Sequence, residues 1–129
     1  MPAAEPTSAT RVRFIEHAGA RILLIDLSNL QAEAEILDQI ERVRDLVARQ
    51  PPASVRTITN VTGARYTPPV MDALKKLTAH NKPYVTAAAV VGMQGVHKVL
   101  FRAVLLFSRR VIEAFDDMDR ARDWVARQP

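Results

Sequence analysis

The stretch from Tyr84 to Phe107, YVTAAAVVGMQGVHKVLFRAVLLF, constrains the fold of this chain more than any other. Its first part is apolar on both faces of the strand it would form. Such a strand belongs in the centre of a parallel sheet, with helices covering each side. A glycine-punctuated turn follows. Then comes a helix that is apolar on more than one side and whose only charges are positive. That helix has more apolar surface than one core contact uses. The excess points to a molecule that works by contact: with a copy of itself, a partner protein or an apolar ligand.

The rest of the chain supplies the setting. Arg11 to His17 alternates charged and apolar residues and reads as an edge strand; Ala18-Gly19-Ala20 makes a short turn; Arg21 to Leu27 reads as a second strand. Two strands joined so tightly are antiparallel neighbours. Ser28 to Gln50 reads as a helix, with Ile36, Ile40, Val43 and Val47 at helical spacing, Ser28 or Asn29 as cap and Pro51-Pro52 as stop. Val55 to Val61 is a third strand. Thr67 before Pro68-Pro69 opens a second helix, whose inner face carries Val70, Ala73, Leu74 and Leu77. Tyr84 to Val91 is the fourth strand, Gln94 to Ser108 the third helix and Val111 to Phe115 a short fifth strand. Asp117 to Arg127 forms the last helix, capped by Asp116 or Asp117, with Met118, Ala121, Trp124 and Val125 inward. Strand–helix alternation implies a parallel sheet, and the opening hairpin makes it mixed. The expectation is an α/β domain over residues 11–129 with four to five strands and about four helices, preceded by a flexible leader over 1–10.

Composition narrows the function. At 129 residues the chain has the length of one domain, and it contains no cysteine, which excludes disulfides and thiolate metal sites and fits a reducing cytoplasm. No run approaches the roughly 18 apolar residues of a membrane-spanning helix, and the first ten residues lack the pattern of a secretory signal. The net charge is +4. From Ala73 to Ile112 there is no acid, whereas Lys75, Lys76, Lys82, Lys98, Arg102, Arg109 and Arg110 all fall in that span. Such a field attracts anions, an acidic partner surface or a membrane surface, or simply solvates one face. Aromatic residues are few and not interleaved with the basic ones, which argues against nucleic acid.

Stepping about 100° per residue along the third helix places Val96, Val99, Leu100, Ala103 and Phe107 on one side. That side is expected to pack on the sheet. Phe101 and Leu105 fall opposite, beside Lys98 and Arg102, and are expected to face water as a contact surface, with a two-fold homodimer the commonest arrangement. The alternative is that a loop or the last helix covers them.

Asp26, Ser28, Asn60, Thr62, Gly63 and Thr67 are expected to converge at the C-terminal edge of the strands, where open α/β sheets bind ligands. The turn holding Gly92 and Gly95 leaves the same edge, with Lys98 one turn on. It could bring backbone N–H groups to an anion, although it lacks a phosphate-loop pattern, and turn geometry alone also explains its glycines. His17, His80 and His97 are far apart in sequence and have no acid or second histidine at ligand spacing, so no metal is expected. No nucleophile–base pattern is present, so neither a catalytic residue nor a cofactor is expected.

The strand–strand–(helix–strand) order, together with TNVTGARYTPPVMDAL, KPYVTAAAVVGMQG, VLFRAVLLFSRR and VIEAFDDMDRARDWV, resembles the STAS group of bacterial anti-sigma-factor antagonists, in particular its SpoIIAA-like branch. The likeness runs from about Arg11 to Arg127 and lies in organisation, not in a catalytic motif. It implies a SpoIIAA-like fold, no enzymatic activity, and a regulatory module acting through protein partners. In such antagonists an Asp-Ser pair opens a helix and its serine is phosphorylated by a partner kinase. The corresponding place here is Tyr66-Thr67-Pro68, without that pair. Thr67 is thus either a helix cap or a modified hydroxyl. The related branch is also described as lipid-transfer-like, which implies as an alternative a carrier or sensor of a small apolar or anionic ligand, lipid-like or nucleotide-like.

Overall fold

The computed structural model describes residues 7–108 and 111–129, with 100 and 103–108 in backbone only. Arg109, Arg110 and the side chain of Leu105 therefore lie outside the described residues, as does 1–6 of the expected leader; Ser8–Thr10 form a single 3₁₀ turn.

Strands β1 (Val12–His17) and β2 (Ala20–Asp26) form the antiparallel hairpin, turning at Ala18 and Gly19, both of which adopt positive φ. Helix α1 (Glu33–Ala48), β3 (Val55–Asn60), α2 (Pro68–Asn81), β4 (Val85–Val91), α3 (Gly95–Ser108), β5 (Ile112–Phe115) and α4 (Met118–Arg127) follow. The sheet order is β1-β2-β3-β4-β5, with every pair after the hairpin parallel. The mixed five-stranded sheet and four helices match the expected architecture.

The order of the strands dictates where the helices lie. Each crossover moves one strand further in the same direction, and crossovers of one hand then place their helices on one face. Accordingly α1, α2 and α3 share a face. Alternate residues of the strands point to them: Leu23, Ile25 and Leu27 from β2 and its end, Thr57, Thr59 and Val61 from β3 and its end. The intervening residues, Ile22, Leu24, Ile58, Ala89 and Val91, pack against Ala121 and Val125 of α4 on the other face.

Helix α1 begins at Glu33, not at Ser28 as the sequence suggested. Asp26 accepts hydrogen bonds from both the N–H and the hydroxyl of Ser28, and Asn29 takes a left-handed φ of 61°. This local turn competes with the helix, as short polar side chains commonly do. Buried Gln39 of α1 donates to the Ser8 carbonyl and hydroxyl, both at 3.0 Å, tying the 3₁₀ turn to the domain.

Candidate functional site

Of the strand-end residues singled out in the sequence, Asp26, Ser28, Asn60, Thr62 and Gly63 lie on neighbouring strand ends and loops, while Thr67 bonds within α2. Asp26 and Asn60 are cross-strand partners in the β2–β3 register. Asn60 Oδ1 accepts from the Thr62 N–H at 3.1 Å and the Thr62 hydroxyl at 2.7 Å, repeating the Asp26–Ser28 turn one strand along. Arg11 Nη1 donates to the carbonyls of Asp26 (3.0 Å) and Ser28 (3.2 Å). The Gly63 carbonyl accepts from Gln31 Nε2 at 2.7 Å. Backbone bonds from Leu27 to Asn60, Asn29 to Thr62, Val61 to Val91 and Gly92 to Phe115 carry the ladder into these loops. The residues spend their polar groups on one another, so this edge is a clamp that holds the loops together.

Thr67 has the geometry of a cap. It is 8 % exposed, and its hydroxyl accepts from the Val70 N–H at 3.3 Å. Pro68 and Pro69 have no N–H, so the first turn of α2 has few donors left for an anion. Lys98, expected beside an anion turn, reaches Asp116 at 3.2 Å instead. Gly92 and Gly95 both adopt positive φ, and Gly95 has open space around it.

Helix α3 is turned relative to the expectation from its periodicity. Val96 and Val99, expected to pack on the sheet, are 64 % and 67 % exposed. Phe101, expected to face water, is half-buried and packs against the core, while Arg102 is exposed. A helix apolar on several sides does not choose its own inner face. Here buried Met93 anchors its start, the Lys98–Asp116 ion pair holds one flank and the rings of His97 and Tyr66 meet at 4.4 Å on the other.

A cavity of about 410 Å³ lies between the sheet and helices α2 and α3. Its floor is Ile25 and Leu27 of β2, Thr57, Thr59 and Val61 of β3, Val85, Ala88 and Val90 of β4, and Ile112 of β5. Met71, Leu74 and Leu77 of α2, together with Met93, His97 and Phe101, close the sides. The space follows from residue size. The middle of the floor holds alanine and threonine, which are too short to meet helices standing about 10 Å above the sheet. Val85 and Ala88, three residues apart, both face the cavity because the β3–β4 register shifts between Val55 and Arg56.

Besides the floor threonines and His97, the polar side chains of this wall come from α2, Thr78 and Asn81 among them. Asp72 and Lys75 stand at its α2 side, and Asp72 is already paired with Lys76 at 2.9 Å. Two polar atoms near the start of α3 are sealed from solvent and have no hydrogen-bond partner: His97 Nδ1 and Tyr66 Oη. Burial pushes the Tyr66 hydroxyl above its ordinary pKa of 10.0, so it remains a neutral donor. Neither Tyr66 nor His97 stood out in the sequence as a site residue. Their pairing depends on α3 packing beside the loop ahead of α2, which no local pattern encodes.

A five-stranded mixed sheet with a leading hairpin, three helices on one face and a closing helix on the other is the SpoIIAA-like fold. The chain superposes, with a TM-score of 0.70, on the crystal structure of an uncharacterised DUF3478-family protein with a SpoIIAA-like fold from Shewanella loihica PV-4. The match covers 88 % of this chain and 91 % of the other, at 13 % sequence identity. No protein-family model and no curated protein matches the chain. Among the described residues, no helix is long and apolar enough to cross a membrane.

Proposed function

We propose that this chain is a non-enzymatic SpoIIAA-like module that takes up a small apolar ligand between its sheet and helices α2 and α3, as a carrier or as a sensor. The supporting observation is the cavity of about 410 Å³, within the range of small-molecule sites and, among the described residues, lined mainly by aliphatic and aromatic side chains with threonines on its floor. A cavity of this size costs stability that packed side chains would otherwise supply, and occupancy would offset that cost. The lack of cysteine suits work in a reducing cytoplasm. Titration calorimetry with 1-decanol, an uncharged apolar probe, tests the reading. The parent protein should bind it, and Ala88→Leu, which fills the floor, should not. Absence of heat with the parent, or equal binding by Ala88→Leu, would defeat the proposal.

A second reading rests on a different surface. Val96 and Val99, exposed one turn apart on the outer side of α3, form an apolar contact face, and a second copy of the chain is the natural partner for it. Sedimentation equilibrium of Val99→Asp against the parent decides the matter. A parent dimer that the variant turns into a monomer supports the reading, and a parent that is monomeric at every concentration ends it.

A further inference from the structure

We infer that the guest of the α2–α3 cavity is an uncharged apolar molecule carrying a hydroxyl, and that Thr57 reads this hydroxyl with Asn81 at the same end. The inference rests on the ligand-binding reading above and adds the class of ligand. Thr57 is only 5 % exposed, yet it lines the cavity, and its hydroxyl makes no hydrogen bond among the described residues. Nor does it belong to the polar atoms that are sealed from solvent without a partner. The ladder explains why it stays open. Thr57 pairs with Ala88 of β4, whose methyl group is too short to cover it. Buried polar groups nearly always have partners, and an exception calls for a reason. A hydroxyl that borders an apolar cavity has its reason when the guest supplies the partner.

Asn81 brings a second polar group to the same end. Its backbone carbonyl accepts from the Tyr84 N–H at 2.9 Å, and the Tyr84 carbonyl accepts from the N–H of Val55, two residues before Thr57, at 3.0 Å. Asn81 is buried and lines the cavity. Its Oδ1 is engaged by His80 Nδ1 at 3.0 Å, which leaves the amide NH₂ as a donor. A guest hydroxyl can accept from that NH₂ and donate to Thr57 Oγ1 at once, whereas a carbonyl has no donor to give. A carboxylate fits less well. The charged side chains of the wall, Asp72 and Lys75, are exposed on α2, so an ionised head beside Thr57 and Asn81 would lose its water without gaining a counter-charge. The body of the guest lies toward the C-terminal ends of the strands, over Val61, Val90 and Met93. At about 30 Å³ for each water-sized group, the cavity accepts roughly a dozen non-hydrogen atoms.

2-Naphthol and 2-methylnaphthalene, which differ only in a hydroxyl against a methyl group, separate this inference from the one it rests on. Fluorescence titration of the parent, Thr57→Val and Thr59→Val with each probe is the experiment. Valine keeps the branched shape of threonine on the strand, and Thr59, about 7 Å further along the same floor, is the comparison. The expected result is that the parent prefers 2-naphthol about tenfold or more, that Thr57→Val binds the two probes equally, and that Thr59→Val keeps the preference. Binding of 2-methylnaphthalene should be the same in all three proteins, which also shows that the variants are folded. If the parent shows no preference, if Thr57→Val keeps it or if Thr59→Val loses it, the hydroxyl assignment is wrong and the apolar cavity reading stands. If neither probe binds the parent, both fail together.

Discussion

Gly92 turns the chain with a φ of 86°, and a Cβ at that position would collide with the Thr62 hydroxyl. Left-handed backbone and steric overlap act together here, so Gly92→Ala should cost about 2 kcal/mol or more in urea unfolding. Tyr66 gives a prediction of the opposite sign. Its hydroxyl is buried without a partner, so Tyr66→Phe should leave the ligand-free protein as stable as the parent or up to about 1 kcal/mol more stable. The pH dependence follows from the raised pKa. Below 10.0 the hydroxyl is protonated in both folded and unfolded chains, and its burial carries no titration penalty. As pH rises past 10.0 the unfolded chain releases the proton first, so the folded state loses stability until its own higher pKa is passed. Unfolding measured from pH 9 to 11 should therefore show a steeper decline for the parent than for Tyr66→Phe. The sequence already marked Gly92 as a turn residue. It could not mark Tyr66, because an aromatic residue in a loop carries no sign of what will pack over it.

Helix α3 shows how far periodicity reaches at the scale of an element. Its existence and bounds were legible, Gln94 to Ser108 expected and Gly95–Ser108 found. Its inward face was not, because Val96, Val99 and Phe101 are all apolar and each would accept burial. Contacts outside the helix decide the rotation: the Tyr66–His97 ring pair and the ion pair from Lys98 to Asp116. Opposite outcomes are expected at neighbouring positions. Val99→Lys should change unfolding free energy by less than about 0.5 kcal/mol, as exposed substitutions do. Phe101→Ala should cost measurably more, yet less than the roughly 3–5 kcal/mol of a fully packed phenylalanine, since one side of its ring already borders open space. A urea titration of both variants reads this difference, and equal values would mean that α3 is turned the other way. Helix α1 teaches the converse. Its apolar stripe, Ile36, Ile40, Val43 and Val47, is legible in the sequence and buried in the fold, but Ser28 and Asn29, both good caps, suggest a start five residues too early. Asp26 had already claimed Ser28.

For the molecule as a whole, the sheet order and the one-sided stacking of α1, α2 and α3 create a broad covered face with a cavity, opposite a face closed by α4. A ligand held there and not by the unfolded chain stabilises by mass action, about 2.7 kcal/mol at a hundredfold excess over Kd. For a domain of this length that corresponds to a rise on the order of 10 °C in Tm. Decanol at such a concentration should produce the rise in the parent and none in Ala88→Leu, read by circular dichroism.

The sequence alone determined the strands, the helices, the antiparallel opening and the parallel remainder, because hydrophobic period, caps and turn residues act over a few neighbouring positions. It also determined that residues 73–112 lack acids. The tertiary structure alone decided that α3 presents His97 and Phe101 inward, that Asp26 holds Ser28 and Asn60 holds Thr62 at neighbouring strand ends, and that Tyr66 meets His97. Those outcomes depend on which surfaces meet across long stretches of chain, and a helix apolar on most sides leaves that choice to its neighbours.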